Sequence, residues 1–120
     1  MKKFRIYGNI SSSKNGKIKT RRGLINNKTV QKCYDMILPQ LQEIRNEFKS
    51  EIKSYPIRLH IYYYRSSKRI FDYINPTQTL QDAMVKAGLI EDDNTAFLIP
   101  IFEGHCYTNR ENSGVEFWIN

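Results

Sequence analysis

Ile57-Arg58-Leu59-His60-Ile61-Tyr62-Tyr63-Tyr64 alternates apolar with polar or amphipathic side chains directly after Pro56. Successive side chains of a strand point to opposite faces, so this spacing puts Ile57, Leu59, Ile61 and Tyr63 on one side and predicts a half-exposed strand. Before it, Val30, Cys33, Tyr34, Ile37, Leu41, Ile44, Phe48 and Ile52 recur in steps of three and four. That period predicts a long helix with one buried face, and Pro39 is expected to kink or divide it, because proline lacks the backbone donor and crowds the preceding turn. After the strand, Asn75 suits an N-cap, Pro76 the first helical position, Gln78 the reciprocal place in a capping box and Gly88 the C-terminal stop. Leu80, Ala83, Met84 and Ala87 form the inward face of this second helix.

The ends of the chain complete the pattern. Phe4-Arg5-Ile6-Tyr7 reads as a first strand stopped by Gly8; Thr95 to Phe102 carries Phe97, Ile99 and Ile101 in alternation, and Val115, Phe117 and Ile119 close the chain the same way. Pro100 assigns the third strand to an edge or a bulge, since proline cannot donate to the ladder. The expected fold is α+β, a single domain over residues 1–120 in the order β-α-β-α-β-β, with a small mixed sheet and two main helices. Residues 9–27, rich in Ser, Asn, Gly, Lys and Arg, show neither period and are expected to form a long basic loop.

A chain of 120 residues with 40% hydrophobic and 26% charged residues has the size and composition of one soluble globular domain. No run approaches the ~18 apolar residues of a membrane span, and Met1-Lys2-Lys3-Phe4 lacks the apolar stretch of a secretory signal. The expected location is cytoplasmic. Cys33 and Cys106 lack the spacing of a disulfide framework or a zinc knuckle. The net charge is +7, with nine basic residues in positions 1–28 and no acidic residue before Asp35. A one-signed segment of this kind attracts polyanions by counterion release, which favours nucleic acid over a membrane surface as partner.

Between positions 72 and 93 stand five carboxylates, Asp72, Asp82, Glu91, Asp92 and Asp93. Carboxylate oxygens are what Mg²⁺ prefers, and a phosphodiesterase uses such an ion to polarise phosphate and activate water. Their blander reading is a solvated turn at Glu91-Asp92-Asp93-Asn94 and a surface residue at Asp82, as helix capping is for Asn75 and Gln78. Asp72 resists that reading, because it follows the apolar pair Ile70-Phe71 at the approach to a helix N-terminus, where phosphate is also favoured. Tyr62, Tyr63 and Tyr64 followed by Arg65, Lys68 and Arg69 mix aromatic faces with cations, a surface able to stack unpaired bases.

The chain resembles the RusA type of Holliday-junction resolvase in four places. Ser13-Lys14-Asn15 is similar to the family's Ser-x-Asn element after the first strand. Lys68-Arg69 and Asp72-Tyr73-Ile74-Asn75-Pro76-Thr77-Gln78 line up with a basic stretch and an Asp-x-Asp-Asn-x-x-Lys motif; Asp82-Ala83-Met84 with Gly88 matches Asp-Ala-Leu and its glycine; and Asp92-Asp93 matches a closing Asp pair. No gap is needed between Asp72 and Asp93.

The resemblance implies a homodimeric endonuclease that resolves branched DNA with Mg²⁺, for which Mn²⁺ can substitute, held by three aspartates and helped by a lysine, with no small-molecule cofactor. Asp72 and Asp93 match the first and last aspartates, whereas Ile74 and Gln78 stand where the second aspartate and the lysine belong. Asn75, Asp92 and Glu91 are the candidates for the missing oxygen. The expected catalytic set is thus Asp72, Asp93, Asp92 and Asn75, with Asp72, Asp93 and Asp92 as metal ligands. The expected DNA contacts are Lys14, Asn15, Lys17, Lys19, Arg21, Arg22, Lys68 and Arg69. The competing expectations are a RusA-like protein that binds branched or duplex DNA without cutting it, and an unrelated interaction protein with a basic segment.

Overall fold

In a computed structural model, residues 1–12, 17–20, 23–26 and 28–119 are described, with backbone alone for 17–20 and 23–26. The elements are β1 (Phe4–Tyr7), β2 (Lys17–Thr20), β3 (Gly23–Asn26), α1 (Lys28–Ser50), β4 (Ile57–Arg65), α2 (Ile74–Lys86), β5 (Leu98–Tyr107), a short 3₁₀ turn at Arg110–Asn112 and β6 (Gly114–Ile119). The main sheet has the order β1-β6-β4-β5. β6 pairs antiparallel with β1 and β4, and β5 pairs parallel with β4. This is the expected mixed α+β sheet with two main helices.

β4 carries the core because its alternation holds over its whole length. Ile57, Leu59, Ile61 and Tyr63 are buried, facing Val30, Ile37, Leu41 and Phe48 of α1 and Leu80, Ala83 and Met84 of α2 in one apolar cluster. Phe4, Phe48 and Phe117 meet there with ring centroids 5.5–5.8 Å apart, fixing β1, α1 and β6 together. Tyr63 keeps its hydroxyl satisfied through a 2.6 Å hydrogen bond with Thr77 Oγ1, and its burial pushes the phenol pKa up. The opposite sheet face, with His60, Tyr62, Tyr64 and Trp118, is half-exposed.

Four details differ from the sequence reading. Residues 9–27 are not loop throughout, since β2 and β3 pair antiparallel from Lys17↔Asn26 to Thr20↔Gly23; β-pairing there does not need an apolar alternation, which is why the segment looked featureless. α1 runs through the exposed Pro39 undivided. The third strand starts later and ends later than expected, at Leu98–Tyr107, and its sheet-edge position agrees with Pro100.

Asn75 is not the N-cap of α2. The helix begins at Ile74 after Tyr73, with no side-chain cap, and the Asn75 N–H donates to the Asp72 carbonyl. Tertiary packing explains the earlier start: the Tyr73 ring stacks on Phe102 at 5.4 Å and its hydroxyl meets His105 Nδ1 at 2.8 Å, so the turn before the helix is already held. Gly88 does end the helix as expected. At φ +81° its N–H donates to the Val85 carbonyl while Leu89 N–H reaches Met84, the paired bonds of a Schellman stop.

Gly114 sits where β6 starts against β1, at φ +148°, and a Cβ there would stand 2.0 Å from the Ile6 carbonyl oxygen. Backbone cannot yield as a flexible side chain can. Gly114→Ala is expected to destabilise the fold by on the order of 2–3 kcal/mol in urea denaturation; a change under about 0.5 kcal/mol, the scatter of surface substitutions, would contradict this packing.

Candidate functional site

β4 and β5 run parallel, so the chain must cross back along α2 between them, and the two ends of that helix lie toward opposite ends of the strand pair. A helix of 13 residues is ~18–20 Å long at about 1.5 Å per residue. Asp72 precedes its N-terminus, beyond the carboxyl end of β4. Asp92 and Asp93 follow its C-terminus, close to the start of β5, where the Asn94 carbonyl accepts from Phe97 and Leu98 N–H groups. One chain therefore does not bring Asp72 and Asp93 into a common cavity.

Asp72 lines a cavity of about 350 Å³ together with Arg65, Ser11, Ser12, Ser67 and Asn75, walled by Ile10, Ile70, Phe71 and Pro76. Arg65 stands at the last position of β4, with its guanidinium 4.1 Å from the Phe71 ring centre. Its Nε is buried and has no hydrogen-bond partner among the described residues, and the same holds for Ser11 Oγ. Burial lowers the Arg65 pKa, with the nearby Tyr63 phenol acting the other way, yet a guanidinium stays protonated throughout the physiological range. A guanidinium and three serine hydroxyls lining one cavity suit an anion with several acceptor oxygens, of which phosphate is the obvious case.

The helix end contributes less than the sequence suggested. Asn75 and Thr77 N–H groups already donate to Asp72 and Tyr73 carbonyls, and Pro76 has none to offer. Arg65 and the serine hydroxyls, not a row of free amides, carry the anion chemistry. Arg65 was visible in the sequence only as one of three cations after the tyrosines. Lys68 and Arg69 are exposed in the adjoining turn, with Lys68 Nζ 5.0 Å from the Tyr107 ring centre. Of the three tyrosines, Tyr63 is core, while Tyr62 and Tyr64 lie on the other sheet face, in edge contact at 5.1 Å. They do not form one stacking surface with Tyr63.

Lys14, Asn15, Arg21 and Arg22 lie outside the described residues, as do the side chains of Lys17 and Lys19. Asp92 spends both carboxylate oxygens on its own turn, accepting from Asp93 N–H at 2.7 Å and Asn94 Nδ2 at 3.0 Å. Ile74, in the position of the family's second aspartate, is 59% exposed. Among the described residues Asp72 is the sole carboxylate lining the cavity, and no three His, Cys, Asp or Glu side chains group closely enough to hold an ion. Mg²⁺ is commonly held by one or two carboxylates with water and phosphate oxygens completing its octahedron, and Asp72 is the carboxylate this cavity offers.

No protein-family model matches the chain, and no curated protein matches it.

Arg65 predicts a measurable anion effect. At a phosphate concentration ten times its Kd, wild type is expected to gain about 1.4 kcal/mol, or several degrees in Tm, over chloride at equal ionic strength. Arg65→Gln is expected to lose that increment in the same calorimetric scans; an undiminished increment would place the anion elsewhere.

Proposed function

We propose that this is a RusA-like protein of the cytoplasm that binds branched DNA through phosphates seated at the Arg65 cavity, and that it cuts the DNA as a homodimer. The observation that carries the reading is the cavity beyond the carboxyl end of β4, which Arg65, Ser11, Ser12 and Ser67 line together with Asp72. The net charge of +7 supports a polyanionic partner, and the free Cys33 and Cys106 accord with a reducing compartment. Among the described residues no helix is long and apolar enough to cross a membrane.

The separation of the carboxylates supports the homodimer in this reading. β5 is an edge strand that exposes Ile99, Phe102 and Tyr107. A twofold axis beside it would run one chain's β5 against its partner's, bringing the Asp72 end of one chain to the Asp93 end of the other. Any catalytic ion, Mg²⁺ or Mn²⁺, would then depend on both chains for oxygen ligands. Within each chain, Arg65 would hold the phosphate, while Lys68 and Arg69 neutralise neighbouring backbone charge.

A second reading, binding without cutting, is favoured by Ile74 and Gln78: an exposed alkyl group cannot ligate an ion, and a neutral amide cannot offset developing charge. A labelled four-way junction in Mg²⁺ and then Mn²⁺ separates the two. Wild type is expected to nick it, and Asp72→Asn and Asp93→Asn to bind without nicking. Mixing the two inactive variants is expected to restore nicking, because a mixed dimer rebuilds one intact pair. Binding with no nicking by wild type in either metal would leave the second reading; no binding at moderate salt would end both.

A further inference from the structure

A second cavity, of about 420 Å³, lies beside the Arg65 cavity, and Asn9 and Ser11 line both. Its walls include Lys32, Arg110 and the hydroxyl residues Thr29 and Ser113, and no carboxylate among the described residues lines it. Thr29 belongs to the first turn of α1, which carries no acidic residue, so no side chain there offsets the positive end of the helix dipole. Lys32 and Arg110 are exposed, and neither forms an ion pair among the described residues.

The segment between the cavities is held from both sides. Gly8 N–H donates to the Ser113 carbonyl at 2.8 Å, Asn9 Nδ2 to Ser66 Oγ at 2.7 Å, and Thr79 Oγ1 to the Ser11 carbonyl at 2.6 Å, while Ile10 is buried. Gly8 makes the turn onto this ridge at φ +107°, where a Cβ would sit 2.1 Å from Met36 Sδ. The two cationic hollows are thus separated by a fixed ridge of protein backbone.

We propose that the Lys32 and Arg110 cavity binds the backbone phosphate of a second DNA strand, so that the Gly8 to Ser11 ridge stands between two strands parting at a branch. This rests on the DNA reading above and adds to it the second strand and the origin of branch selectivity. A linear duplex keeps its two backbones at a fixed separation across paired bases, so it can fill one cavity but cannot open around the ridge. A branch point can. The second cavity therefore adds affinity for junctions and little for duplexes.

The test compares wild type with a Lys32→Gln and Arg110→Gln double variant, titrated against a labelled four-way junction and a linear duplex of the same arm sequence over a range of salt. The junction Kd is expected to rise about tenfold, and the slope of log Kd against log salt to fall by roughly 1–2, as expected for one or two lost phosphate contacts. Duplex Kd is expected to change by less than about twofold, the size of a minor electrostatic perturbation. A charge-keeping Lys32→Arg and Arg110→Lys variant should retain junction binding, and matching melting curves would establish that both variants fold. Equal weakening on both DNAs, or an unchanged junction Kd, overturns the proposal while leaving DNA binding itself in place. Failure of wild type to bind the junction at all would remove the DNA reading and this inference with it.

Discussion

A parallel strand pair cannot be closed by a tight turn, and the pairing of β4 with β5 is the constraint from which the rest of this structure follows. The crossover uses α2, about 20 Å long against strands of roughly 30 Å, so the residues before and after it are driven apart. Everything beyond the end of β4, including Arg65 and Asp72, gathers at one end of the pair; the turn with Asp92 and Asp93 gathers at the other. A motif that reads as contiguous along the chain is thereby divided in space. The same crossover leaves β5 as an edge, with its outer side open to a partner strand.

Much of this was legible because the apolar periods are strong. β4, β6 and the inward faces of α1 and α2 follow from alternation or from steps of three and four, and burial at Leu59, Ile61, Leu80, Met84 and Phe117 agrees with them. Gly88 was legible because a left-handed stop leaves few alternatives to glycine. The start of α2 was not, since local capping chemistry at Asn75 was outweighed by Tyr73 docking on Phe102 and His105, residues about 30 positions away. The β2-β3 pairing was hidden for a related reason: backbone hydrogen bonds hold such a hairpin without an apolar pattern to announce it.

The candidate site was legible in its carboxylates but not in its cavity. Arg65, Ser11 and Thr79 come together from three separate stretches, and only the fold makes the Thr79 hydroxyl the support for the Ser11 carbonyl. Asp72, expected as a catalytic and metal-binding residue, lines that cavity, while Asp92 accepts two hydrogen bonds within its own turn. Density of acidic residues in a sequence says little about which oxygens remain free. A turn of the Asp92-Asp93-Asn94 kind consumes them to satisfy backbone donors.

The chemistry around Asp72 is therefore weighted toward anions rather than cations. Arg65 and Asp72 line one cavity, so a hydrated divalent ion placed there would meet the guanidinium as well as the carboxylate. Phosphate meets the reverse situation, attracted by Arg65 and repelled only by a carboxylate that stands exposed and solvated. The exposed Ile74 and Phe102 alter that balance if a second chain covers them, because excluding water strengthens every charge interaction left inside. Under cover, Asp72 would need an ion or a proton to remain stable beside a phosphate, and an aspartate from the other chain would deepen that need. In the homodimer proposed above, dimer formation and the demand for a cation would thus be coupled through desolvation.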